Sequence, residues 1–194
     1  MPMTGQRKAS PQTVVSRGAP WPVETSIIPA ILPDGTLAPI GKMDAHRTGA
    51  LHLAVSVFVF SGDHLLIQRR AATKYHCGSM WANTCCSHPH WDEAPSAAAS
   101  RRLEEELGLR LHLEPTAVVT YRAHVTRGLI EHERVHVFRG EADRRSISLR
   151  LNPEEVSQAR WVSLEEARQD VAQAPDAFAP WFRIYLARWD ELGL

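Results

Sequence analysis

Between Trp81 and Leu109 the chain gathers many of the side chains best able to do chemistry. A polar stretch carries adjacent thiols, Cys85 and Cys86, followed by two imidazoles, His88 and His90. It then passes into a helix announced by Asp92, Glu93, Pro95 and Ser96 and stopped by Gly108. Arg102 and Glu106 are four apart, so they share a face of that helix. A cation and a carboxylate beside a thiol and an imidazole make a site able to hold a phosphate and a metal ion. The same spacing also fits a solvated helix with an ordinary intrahelical ion pair.

Further on, Glu131 and Glu133 alternate along an expected strand. Strands rise about 3.3 Å per residue, which sets the two carboxylates roughly 6.6 Å apart on one side, able to converge on one ion. His46 and His52 stand earlier, near the ends of other elements. With ten His in the chain, each taken alone fits surface or core as well as a ligand role. There is no CxxC pair, which argues against a tetrahedral structural zinc site. Arg69, Arg70 and Lys74 form a cationic cluster that equally describes a solvated face.

The elements that must position these groups follow from periodicity. Ile27 to Leu32 and Leu37 to Ile40 flank a Pro33-Asp34-Gly35 turn and are expected to pair as a hairpin. Lys42 to His46 is a loop or short helix. From His52 to Phe60 the residues alternate, with Leu53, Val55, Val57 and Val59 on one face and His52, Ala54, Ser56 and Phe58 on the other. Ser61-Gly62-Asp63 turns the chain back into Leu65 to Arg69. Two strands, Thr116 to His124 and Leu129 to Arg139, join through Arg127-Gly128. Short strands are expected at Ser148 to Leu151 and Ala159 to Ser163. Ser163 then caps a helix with Glu166, and Pro180-Trp181 opens a last helix to about Leu192.

Residues 1–24 read as a flexible polar tail rich in Pro, Ser and Gly, followed by a single domain over 25–194. Apolar content is 44% and charged content 23%, ordinary for a globular protein. Lys plus Arg balances Asp plus Glu at 22 each, which gives no basic field for nucleic acid. No apolar run reaches the roughly 18 residues of a membrane span. No secretory signal is evident, and three Cys do not make a disulfide framework, so a reducing cytoplasm is expected.

Set against known families, the central stretch resembles a Nudix box, with Ser87, Glu93, Arg101, Arg102, Leu103, Glu105, Glu106, Gly108 and Leu109 on its positions. Ser87 replaces a Gly, and Arg102 replaces a metal-holding Glu. With Asn-Thr-Cys-Cys-Ser-His-Pro in front, the chain resembles the type I isopentenyl-diphosphate isomerases, a more specific match than the box. Ala82 and His90-Trp91-Asp92 are small departures from that pattern. The resemblance implies a single α/β (α+β) domain, a Nudix-like mixed β-sheet sandwiched by helices. It implies interconversion of isopentenyl and dimethylallyl diphosphate through a tertiary carbocation; the alternative is a Nudix pyrophosphohydrolase acting on a nucleotide diphosphate.

The resemblance also assigns roles. Cys86 and Glu133, with Tyr121 beside the latter, are implied as the proton-transferring groups, and Trp181 as the pocket aromatic. His46, His52, His88, Glu131 and Glu133 are implied as ligands of Mn2+ or Zn2+. Glu106 and the Cys86 backbone carbonyl would hold Mg2+ with the substrate. Lys42, Arg70, Lys74 and Arg102 would contact the diphosphate. The implied partner is a small-molecule allylic or homoallylic diphosphate, with neither nucleic acid nor membrane, for a monomer or homodimer.

Overall fold

In a computed structural model describing residues 26–194, the alternating run from His52 becomes the strand around which the sheet is ordered. In chain order the elements are β1 (Ile27–Ile31), β2 (Leu37–Gly41), α1 (Lys42–Thr48), β3 (His52–Ser61) and β4 (His64–Arg70). There follow β5 (Trp81–Ala82), β6 (Cys85–Ser87), α2 (Pro95–Leu107), β7 (Leu113–His124) and β8 (Ile130–Glu141). β9 (Val156–Ser163), α3 (Leu164–Gln173) and α4 (Pro180–Ala187) complete the order. The expected tail, residues 1–24, lies outside the described residues.

β3 runs parallel to β8 and antiparallel to β1, β4 and β6, so the sheet is mixed. Three cross-strand pairs place chemically capable side chains opposite one another. His52 pairs with Glu133 across β3 and β8, Tyr121 with Glu133 across β7 and β8, and Ser56 with Cys86 across β3 and β6. Because side chains alternate along strands, both faces of β3 are used. Ala54 and Phe58 pack with Val135, Val137, Phe182 and Tyr185 on one side. Val55, Val57 and Val59 pack with Ala98, Ala99, Leu103 and Leu107 of α2 on the other. The sheet is thereby covered on both faces by helices, as expected.

The hairpin at Gly62-Asp63 forms, but β3 and β4 pair only at Phe60↔Leu65 and Ser61↔His64 before they splay. Thr84 fills the opening. Its Oγ1 accepts from Val59 N at 2.9 Å and donates to Leu66 O at 2.5 Å, replacing a lost rung. This splay lets the polar stretch after it form two short strands, β6 pairing with β3 and β5 with β4.

Three other expectations are corrected. Ser148 to Leu151 forms no strand: Arg150 N and Asn152 N donate to Leu107 O and Glu106 O, so the segment caps the end of α2. Its apolar alternation is real, since Ile147, Leu149 and Leu151 pack on the α2 core, but its backbone partner is a helix terminus. Asp92 and Glu93 do not cap α2, which starts at Pro95 with Ala94 before it. Asp92 takes a left-handed turn and Glu93 instead accepts from Arg101 at 2.7 Å. The last helix ends at Ala187 rather than Leu192. There the Arg188 guanidinium donates to Thr120 O and Glu191, and Trp189 turns in against Phe58. The Ser163–Glu166 capping box forms as expected.

Gly108 ends α2 at φ 70°, and a Cβ there would come within 2.8 Å of Arg150 Cβ. Left-handed backbone costs an L-residue roughly 1–2 kcal/mol before any clash. Gly108→Ala is therefore expected to lower stability by at least about 1 kcal/mol, read from the urea midpoint; an unchanged midpoint would contradict this assignment of the turn.

Candidate active site

The parallel register of β3 and β8 brings the expected ligands together. One ligand atom each from His46, His52, His88, Glu131 and Glu133 lies within 4.8 Å of all the others. His46 Nδ1 and His52 Nδ1 lie 2.7 and 2.8 Å from the carbonyls of Lys42 and Ala50. A carbonyl only accepts, so each Nδ1 carries a hydrogen, and in the neutral ring Nε2 turns a lone pair inward; burial disfavours charge on His46, but the facing Glu131 raises its pKa. His46 Nε2 and Glu131 Oε2 face each other at 3.4 Å, and neither has a hydrogen bond among the described residues. His52 Nε2 and His88 Nε2 approach to 3.2 Å, and His88 Nε2 reaches Glu133 Oε1 at 2.8 Å.

Buried polar atoms converging on one point, His46 Nε2 and Glu131 Oε2 among them without a hydrogen bond, are what a divalent cation satisfies. Three imidazoles and two carboxylates suit expanded coordination, so the residues fit the group.

The charges agree with this. Burial pushes Glu133 well above the usual carboxylate range, and neighbouring Glu131 pushes it further. Glu131 is held well below that range: burial opposes ionisation, but His76 and His46 outweigh it. Burial drives His52 down to about 4, so its ring is neutral near pH 7. Tyr121 OH donates to Glu133 Oε2 at 2.6 Å from the opposite strand.

Cys86 lines the same cleft as Tyr121, Glu131, Glu133 and Trp181. Its proton can be located from its neighbours. Asn83 Nδ2 donates to Val57 O and Cys85 O, which fixes the amide and leaves Oδ1 to face the sulfur at 2.8 Å. That oxygen only accepts, so the thiol donates to it. Ser56 Oγ, 3.1 Å from Sγ, then acts as donor to the sulfur, and Tyr185 OH, 2.8 Å away, as donor to Ser56. Desolvation pushes the thiol up to about 12, against the hydrogen bond from Ser56.

A cationic rim closes the cleft, with Lys42, Arg70, Lys74 and Arg102 all lining it. Arg102 Nη2 pairs with Glu106 Oε1 at 2.8 Å and Glu155 Oε1 at 3.2 Å, while Lys74 Nζ meets Glu155 Oε2 at 2.7 Å. Arg70 lies over the Trp181 ring at 5.2 Å and Lys42 over Tyr75 at 5.1 Å. Glu106 is buried beneath the rim, its second oxygen accepting from Gln68 at 2.9 Å. Sequence patterns alone did not single out Ser56, Gln68, His76, Asn83, Glu155 or Tyr185. Only Asn83, inside the Asn-Thr-Cys-Cys run, carried a local signal.

Comparison with known proteins accords with this geometry. The NUDIX domain family model matches residues 50–182. An isopentenyl-diphosphate Delta-isomerase of Dinoroseobacter shibae is 49% identical over 166 residues, covering 85% of this chain and 93% of that one. That of Roseobacter denitrificans is 51% identical over 163 residues, covering 84% and 92%. Among solved structures, a Deinococcus radiodurans protein superposes with a TM-score of 0.61 at 18% identity, covering 76% of this chain and 89% of that one. A MutT protein from Methanosarcina mazei gives 0.57 at 18% identity, covering 72% and 93%. At that identity the structures speak for the fold alone. The chain belongs to the isopentenyl-diphosphate Delta-isomerase family of NUDIX-domain proteins.

Proposed function

We propose that this chain interconverts isopentenyl and dimethylallyl diphosphate, with Cys86 and Glu133 as the proton-transferring groups. The observation that carries the reading is the shared cleft: a thiol fixed as S–H by Asn83 and a carboxyl fixed by Tyr121, beneath a cationic rim. One group adds a proton to the terminal alkene carbon, leaving a tertiary carbocation; the other removes a proton from the adjacent methylene to form the internal double bond. The reverse direction exchanges the two roles. A weakly basic alkene needs an acid already in contact and little competing water, which the enclosed site favours.

His46, His52, His88, Glu131 and Glu133 would hold Mn2+ or Zn2+, whose charge would draw Glu133 back towards its carboxylate form. Glu106 and the Cys86 carbonyl would hold Mg2+ together with the diphosphate. Arg102, paired with Glu106 and Glu155, would exchange a carboxylate for a phosphate oxygen. Lys74 would do the same from Glu155, with Arg70 and Lys42 completing the grip. The Trp181 π-face can stabilise the carbocation by about 2 kcal/mol when desolvated. An arginine at the box position where a hydrolase gathers metal favours anchoring the diphosphate over cleaving it. Free thiols at Cys77, Cys85 and Cys86 fit a reducing cytoplasm, and no helix among the described residues is long and apolar enough to cross a membrane.

Proton NMR in heavy water, with isopentenyl diphosphate and divalent ions, tests the reading: the allylic isomer should appear with deuterium on carbon. Release of phosphate without isomerisation would sink it. Cys86→Ala and Glu133→Gln should each lower turnover on the order of 10²- to 10⁴-fold while pyrophosphate binding persists. Near-normal turnover in either variant removes the acid/base assignment. Arg102→Met should weaken pyrophosphate binding about 10- to 100-fold, the scale of one charged hydrogen bond. Affinity within twofold of the parent would contradict the anchor.

A further inference from the structure

Glu131 is 3% exposed, and its two oxygens face opposite ways. Oε2 points at His46 Nε2, within the cluster of three imidazoles and two carboxylates. Oε1 turns away from it and meets His76 Nε2 at 2.9 Å. His76 is 4% exposed and stands outside the converging five. A carboxylate only accepts, so His76 donates through Nε2–H. Its Nδ1 is then the lone-pair end, without a hydrogen bond among the described residues.

The chain bends sharply to aim this ring inwards. Directly after His76, Cys77 and Ser79 adopt φ of 49° and 65°. Such backbone costs an L-residue on the order of 1 kcal/mol or more and persists where surroundings enforce it. Gly78 between them has no room for a side chain, since a Cβ would lie 2.6 Å from Ala72 O. Cys77 N donates to Thr126 Oγ1 at 2.8 Å, and Trp181 stands edge-on to the His76 ring at 5.7 Å. The strain is thus held by contacts on both sides of the turn.

We propose that His76 is the positioning residue of the cation centre: by donating to Glu131 Oε1 it fixes the carboxylate so that Oε2 is presented to the ion. The proposal rests on reading the cluster as a divalent-cation site. Hydrogen bonds that orient a ligand from behind typically change metal affinity 10- to 100-fold.

The test is titration of Mn2+ into ion-free full-length chain against a competing chelator, for the parent, His76→Phe and His76→Gln. Phe keeps a ring without the donor; the Gln amide carries an N–H at a similar reach to Nε2. His76→Phe should bind one Mn2+ about 10- to 100-fold more weakly, and His76→Gln should recover most of the loss, with unchanged circular dichroism. If His76→Phe fails to fold, His76→Leu provides the same comparison. Parent-like affinity in the donor-free variant, or a Gln variant as weak as it, would overturn the role of the donated bond. A parent chain that binds no Mn2+ would instead overturn the reading of the centre, and this proposal with it.

Discussion

Two carboxylates enclosed side by side, away from water, cannot both be charged without a counter-charge, and much of the site answers that constraint. Glu131 and Glu133 project from the same face of β8, 3% and 6% exposed. The chain treats them unequally. Glu131 is ringed by His46 and His76 and keeps its charge, while Glu133 receives the Tyr121 hydroxyl and is pushed towards its protonated form. Two equivalent acids would titrate alike; this asymmetry separates a structural anion from a group able to pass a proton.

The sheet supplies the precision. Glu133 is in register with His52 on one side and Tyr121 on the other, so backbone pairing alone sets its neighbours. The splay between β3 and β4 then admits β6, whose pairing sets Cys86 opposite Ser56. The thiol, the carboxyl and the cationic rim therefore stand on elements packed against a common core. A proton donor that must meet an unactivated alkene gains from such rigidity, because small misplacements are costly.

Much of this is legible in the chain itself. The alternation from His52 to Phe60 identifies a strand, though not that both its faces are buried, and Glu131 and Glu133 are separable as one side of another. What stays hidden is what depends on contacts distant in sequence. Ser56 and Tyr185 look like ordinary strand and helix residues until tertiary packing joins their hydroxyls at 2.8 Å. His76 is one imidazole among ten, and only the strained turn after it shows where it points. Ser148 to Leu151 has the alternation of a strand but lacks a strand to pair with, a distinction periodicity does not carry.

The most direct test of the carboxylate account is the number of protons released when a divalent ion binds. It can be measured calorimetrically at pH 7 in buffers of differing ionisation enthalpy. If the ion-free centre holds Glu131 charged and Glu133 protonated, binding one ion should release about one proton or more, as Glu133 passes to its carboxylate form. Stoichiometric binding with no proton released would show that both carboxylates were already charged, and would contradict the central claim.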